Sequence, residues 1–298
     1  MFYNAKNGKI NIDNTTAYYI SFGKGNKNLI LIPGVGDGLK LVKGLAIPFS
    51  IMYKMFCNDY KVYVFSRRND LPKDFSTEEM ANDIVKHMDD LGIKSADIVG
   101  VSQGGMIAQY IAINHPNRVN KLVLAVTTPK SNEVLEDSIN TWIKMAKNKD
   151  YKGIMMDTAE RSYTGKYLEK QRKYYKLLGL FGKNATYDRF IIEAESCLKH
   201  NALKRLNEIK CPTLIIGAKQ DKALGIVGSE ELAKGISNSE LYIYDGYSHG
   251  VYEQAKDFNQ KVLDYLKNNN WFKILQFTKF IIHGIIILID WSFFYVQK

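Results

Sequence analysis

Gly100-Val101-Ser102-Gln103-Gly104 is a G-x-S-x-G pentad, and a serine flanked by glycines at this spacing is a candidate nucleophile. The pentad alone also suits a glycine-rich turn capped by serine, so its surroundings decide. An apolar run at 96–101 precedes it, and a helical pattern at 106–114 follows it. A sharp strand-to-helix turn needs that context, because it pushes the serine into a strained, accessible position while small neighbours let the backbones crowd around it.

Serine is a weak nucleophile at neutral pH and needs a base within hydrogen-bond reach. The chain has five histidines. His87 lies mid-helix, His115 precedes Pro116 in a turn, His200 falls in a long stretch without strands, and His283 lies in the C-terminal tail. His249 follows the last strand pattern, in the loop Gly246-Tyr247-Ser248-His249-Gly250, where sites built on sheets collect. A base in turn needs an acid to fix its tautomer and stabilise its cation. Asp221 follows the strand pattern 213–216 through Gly217-Ala218-Lys219-Gln220. Asp245 also ends a strand but lies too near His249 in sequence to sit behind it easily. Asp150, Asp157 and Asp188 belong to the strandless stretch, which leaves Asp221 the best placed. An oxyanion on the substrate would need donors, and the backbone N–H groups of Gln103, just after the serine, and Val35, after the turn Pro33-Gly34, are the candidates.

The elements that must position these groups alternate. Short apolar runs at 27–32, 62–65, 96–101, 122–126, 213–216 and 241–244 suit strands buried on both faces. Helical spacing appears at 77–91, opened by a capping box of Ser76 and Glu79, and again at 106–114 and 257–266. Asn7-Gly8 is a hairpin turn signal, with strands expected at 9–13 and 16–22. Strands alternating with helices imply an α/β fold with a mostly parallel sheet. Residues 131–206 break the alternation and carry only helical patterns rich in Lys, Tyr, Leu and Met. They are too many for a loop, and their place between two sheet strands puts them over the strand ends as a helical cap. The expected organisation is a core of 1–130 and 207–270, a cap at 131–206 and a hydrophobic extension at 271–298.

Composition narrows the partners. Apolar residues make up 46% and charged residues 24%, an ordinary globular balance. The net charge of +10 is spread along the chain with no dense basic block, which argues against nucleic acid. Cys57, Cys197 and Cys211 are too few and too scattered for a disulfide framework or a zinc site, so no metal is expected and a cytoplasmic setting follows. The tail at 271–298 is rich in Phe, Ile and Trp, but Lys279, His283 and Asp290 interrupt any window of the ~20 apolar residues a spanning helix needs. It leaves membrane association, as a span or as a surface-lying anchor, and self-association open alongside an accidental extension.

Taken together, Leu29-Ile30-Leu31-Ile32-Pro33-Gly34, Val99-Gly100-Val101-Ser102-Gln103-Gly104-Gly105, Cys211-Pro212-Thr213-Leu214-Ile215-Ile216-Gly217 with Asp221, and Gly246-Tyr247-Ser248-His249 resemble the α/β-hydrolase superfamily, in order, over about residues 15–267. The likeness is strongest to capped, esterase-like bacterial members, which share the Asn114-His115-Pro116-Asn117-Arg118-Val119 turn. The resemblance implies an eight-stranded sheet, a helical cap and a cofactor-free triad of Ser102, Asp221 and His249. It departs from the family at Pro33-Gly34, where His-Gly is common, and in the tail. Serine at the elbow argues against haloalkane dehalogenase and epoxide hydrolase activity, which use aspartate there. The expected function is cleavage of a carboxylic ester or thioester of a small or medium hydrophobic substrate through an acyl-enzyme on Ser102. A perhydrolase or haloperoxidase-like activity, carbon–carbon bond hydrolysis and a non-catalytic ligand-binding role are the alternatives.

Overall fold

The structure is a computed structural model that describes residues 3–178 and 187–268. The tail at 271–298 lies outside the described residues. Among those described, no helix is long and apolar enough to cross a membrane.

Eight strands form one sheet: β1 (Lys6–Ile12), β2 (Thr15–Phe22), β3 (Lys27–Ile32), β4 (Tyr60–Phe65), β5 (Ala96–Val101), β6 (Val119–Ala125), β7 (Thr213–Ala218) and β8 (Ser239–Tyr244), in the order β1-β2-β4-β3-β5-β6-β7-β8. β1 and β2 run antiparallel, β2 meets β4 antiparallel, and every pair from β4 onward is parallel. The apolar runs of the inner strands are continuous because both faces are covered, whereas the run at 241–244, expected to be buried on both faces, lies in the edge strand β8 with Leu241 and Ile243 exposed. In β3, Leu29 and Leu31 pack into one core layer while Ile30 and Ile32 pack into the other; Val123 and Ala125 of β6 likewise oppose Leu122 and Leu124.

The hairpin turn expected at Asn7-Gly8 is displaced. Both residues lie inside β1, and the chain reverses between Ile12 and Thr15, with Asp13 at φ +49°. Gly8 is there because it faces Tyr19 across the ladder, where a Cβ would come 2.2 Å from the ring.

α1 (Ala46–Met52) follows β3, and α2 (Thr77–Asp90) opens with the expected capping box, Ser76 Oγ accepting from the Glu79 amide at 3.1 Å. α3 (Gln103–Asn114) follows β5. Between β6 and β7 come α4 (Glu133–Lys147), α5 (Tyr151–Ser162), α6 (Gly165–Leu178) and α7 (Tyr187–Lys199), with no named strand among the described residues. α8 (Val227–Gly235), α9 (Val251–Gln254) and α10 (Phe258–Lys267) complete the chain. A third apolar cluster joins α4 and α7 to the body: Leu135, Ile139, Trp142 and Phe190 pack with Met106 of α3 and with Leu39, just past β3. Burying each such side chain stabilises the assembly by ~1.5–3 kcal/mol, which ties α4 and α7 to α3 and to the segment after β3.

The strand order also fixes where a site can form. The chain leaves β3 toward β4 on one side, then returns to lay β5 on the other side of β3. Connections diverging from neighbouring parallel strands open a crevice at their carboxyl ends. The turns after β3 and β5 carry Val35 and Ser102.

Candidate active site

β5 ends at Val101 and α3 begins at Gln103, leaving Ser102 alone at the junction with φ 57° and ψ −123°. A non-glycine residue there is strained and persists only where its surroundings over-determine it. They do. Ser102 N donates to Ala125 O at 3.0 Å, and Ser102 O accepts from Thr127 Oγ1 at 2.7 Å and from Gly105 N at 2.9 Å. The flanking glycines answer to crowding. A Cβ at Gly100 would lie 2.4 Å from Gly104 O, and one at Gly104 would lie 2.0 Å from Ile32 O. The G-x-S-x-G spacing is thus set by β3, β5 and α3 converging on one point.

The turn after β3 closes over the serine: a Cβ on Gly34 would stand 3.2 Å from Ser102 Cβ. Val35 opens the 3₁₀ turn Val35–Gly38, as Gln103 opens α3. First residues of helical turns have amides without an intrahelical acceptor. Among the hydrogen bonds of the described residues none uses either N–H. Both are free to donate to a ligand.

His249 lies in the loop between β8 and α9, and its Nδ1 is 2.9 Å from Asp221 Oδ2. Asp221 sits in the loop after β7, where Oδ1 accepts from the amides of Ala223 at 2.8 Å and Leu224 at 2.9 Å. One carboxylate oxygen is therefore held by backbone and the other is left for the imidazole. The two loops are stitched together by Gln220 N to Tyr247 O at 3.0 Å and Lys222 N to Ser248 Oγ at 3.2 Å. Asp245, the competing acid, is exposed and faces Lys219 at 3.6 Å.

With Nδ1 engaged, Nε2 is the nitrogen available for other work. His249 and Ser102 line one cavity of about 490 Å³, although no hydrogen bond joins them among the described residues. Such bonds are often long before a ligand binds. The remaining described histidines are elsewhere. His87 is buried against Phe65, and burial lowers its pKa to about 4. His200 is buried beside Thr77 Oγ1 at 2.9 Å, His115 pairs with Asn82, and His283 is outside the described residues.

Behind the serine lies a buried ionic cluster that local sequence patterns do not announce. Arg67, just past β4, sends Nη2 to Pro33 O at 2.6 Å and to Gln103 Oε1 at 2.8 Å. Gln103 Nε2 in turn donates to Glu193 O at 2.6 Å. Asp37 accepts from Ser66 Oγ at 2.6 Å, from Arg67 N at 2.9 Å and from Arg189 Nη2 at 2.7 Å. Glu193 lies 3.1 Å from Arg189 Nη2 and 3.9 Å from Arg67 Nε. Burial pushes the Glu193 carboxyl up to about 7, against the pull of Arg189 and Arg67. One guanidinium thus braces the residue before Gly34-Val35 and the side chain of Gln103, the two segments that carry the free amides.

Among the described residues no group of His, Cys, Asp and Glu side chains is arranged to hold a metal. The wall of the cavity is mostly apolar, with Leu45, Phe49, Val64 and Val99 on the sheet side and Trp142 and Ile154 from the inserted helices.

A parallel-sheeted α/β architecture with a serine elbow and a carboxylate-braced histidine at its strand ends defines a hydrolase class. The chain belongs to the alpha/beta hydrolase fold family, whose model matches residues 27–256. It is 22% identical over 253 residues to 3-oxoadipate enol-lactonase 2 of Acinetobacter baylyi, covering 85% of this chain and 93% of that protein. It is 25% identical over 264 residues to a 2-hydroxy-6-oxononadienedioate/2-hydroxy-6-oxononatrienedioate hydrolase of Paraburkholderia phymatum, covering 84% and 90%. Among solved structures it resembles MGS-M2, an alpha/beta hydrolase enzyme from a Medee basin deep-sea metagenome library, with a TM-score of 0.77 at 21% identity over 88% of this chain and 98% of that one.

Proposed function

We propose that the chain is a serine hydrolase that cleaves a carboxylic ester or thioester of a small or medium hydrophobic substrate through an acyl-enzyme. Ser102 Oγ attacks the acyl carbon while His249 Nε2 takes its proton, and Asp221 holds the ring and stabilises the imidazolium. The Val35 and Gln103 amides receive the oxyanion. The leaving group departs with the proton from His249, and water repeats the sequence to free the acid. The helices α4–α7 act as the cap that shields this chemistry from bulk water. The observation that carries this reading is a serine held at φ +57° on the same cavity as the histidine–aspartate pair. The apolar wall supports an acyl group of modest size. An internal ester is a special case of the same bond, and the likeness to an enol-lactonase keeps lactones among the substrates to be tried.

The test is labelling of purified protein by a fluorophosphonate probe, followed by hydrolysis of a chain-length series of p-nitrophenyl esters. Wild type should be labelled, and Ser102→Ala and His249→Ala should not. A folded wild type that neither labels nor turns over any ester or lactone would end the proposal.

A further inference from the structure

The cavity that holds Ser102 and His249 contains another carboxylate outside the machinery just described. Glu253 stands on α9, one helical turn beyond His249, and lines the cavity. Tyr163 donates its hydroxyl to Glu253 Oε2 at 2.5 Å. Tyr53, Tyr174, Tyr175 and Tyr252 line the same space. Among the described residues no lysine, arginine or histidine forms an ion pair with Glu253; Lys40, which also lines the cavity, is exposed and makes none.

Phenol hydroxyls can solvate a carboxylate but cannot neutralise it. Glu253 is exposed on the cavity wall, and the protein packed against it raises its pKa by desolvation, with the tyrosine hydroxyls and His249 pulling the other way. The tyrosines stay protonated donors, since burial and the neighbouring carboxylate push the Tyr163 phenol far up. A carboxylate left without a protein cation on a cavity wall favours a ligand that brings the opposite charge. Aromatic faces add to that preference, because their quadrupole attracts ammonium groups and most strongly where water is excluded. Position assigns the charge to one half of the substrate. The leaving group must take its proton from His249, and Glu253 lies beside His249.

We propose that Glu253 and the tyrosines around it form a cation subsite, selecting substrates whose leaving alcohol or thiol carries an ammonium group. The catalytic consequence rests on the acyl-enzyme reading above; the binding site itself does not.

Two measurements separate those claims. The first compares a choline ester with the 3,3-dimethylbutyl ester of the same acid, which replaces the charged nitrogen by carbon at nearly constant shape. Wild-type kcat/KM should favour the choline ester by at least about tenfold, equivalent to ~1.4 kcal/mol, and Glu253→Gln should bring that ratio close to one. A wild-type ratio of one or less overturns the subsite, whether or not the variant folds. The second uses calorimetry on Ser102→Ala, which needs no turnover. Choline should bind at least about tenfold more tightly than 3,3-dimethylbutan-1-ol, and the difference should vanish in Ser102→Ala/Glu253→Gln. Equal affinities would refute the subsite. Preferential choline binding with neither ester hydrolysed would retain it and count against the ester chemistry instead.

Discussion

Replacing Glu193 by glutamine should change how stability depends on pH, in a direction set by the buried cluster. Glutamine has the shape of the protonated acid, so the variant fixes position 193 in its neutral form. In the wild type the folded-state pKa is raised to about 7 from an ordinary value of 4.5, burial outweighing Arg189 and Arg67. A folded state that holds its proton more tightly than the unfolded chain loses stability as pH rises between those two values. At ~1.36 kcal/mol for each tenfold change, the interval amounts to about 3 kcal/mol, most of it falling between pH 5 and pH 8. Urea unfolding of both proteins across that range should therefore show Glu193→Gln gaining on wild type by about 2–3 kcal/mol as pH rises. The comparison cancels every other titrating group to first order. A difference independent of pH would mean that Glu193 titrates alike in both states. A difference of opposite sign would mean that the arginines outweigh burial and hold Glu193 ionised in the fold.

Two further outcomes follow from local geometry. Asp221→Asn should lower kcat for ester hydrolysis on the order of 10³–10⁴-fold by favouring the wrong imidazole tautomer, and a loss under tenfold would remove Asp221 from the role given it. Gly104→Ala should cost at least ~3 kcal/mol in urea unfolding, because the new Cβ meets Ile32 O at 2.0 Å and the obstacle is backbone; near-wild-type stability would show that β3 can shift away.

What the sequence made legible was local or governed by a rule of chain order. The apolar runs became strands, buried on two faces except at the edge strand β8, where Leu241 and Ile243 are exposed, and the glycine–serine pentad became the elbow because three segments crowd there. Asp221 was accessible to inference because it lies a short loop beyond a strand, the same reason that singled out His249. Asn7-Gly8 misled because a glycine beside asparagine looks like a turn, whereas Gly8 makes room for Tyr19 and Asn7 Oδ1 accepts from the Gly44 amide at 2.8 Å. α1 escaped notice because Pro48 sits inside its seven residues, in the first turn, where a missing amide hydrogen does no harm. The cluster of Asp37, Arg67, Arg189 and Glu193 had no local signature at all. Arg189 and Asp37 are separated by 152 positions, and only the folded chain brings them together.

The inserted helices are fastened to the rest of the molecule unequally, and this divides the chain into parts that can vary and parts that cannot. α7 supplies Arg189 and Glu193 to the bracing behind Ser102, so exchanging it disturbs the serine turn along with the cavity wall. α6 is held largely through α5, by Arg172 with Glu160 at 2.6 Å and by Tyr175 with Tyr163 at 3.2 Å. A lineage under pressure to accept new substrates thus has a permissive segment at 165–178, which contributes Tyr174 and Tyr175 to the cavity wall while leaving the elbow and its supports untouched. Directed evolution confined to that segment should broaden or shift the substrate range at little cost in turnover, whereas the same mutational load on α7 should mostly yield inactive protein.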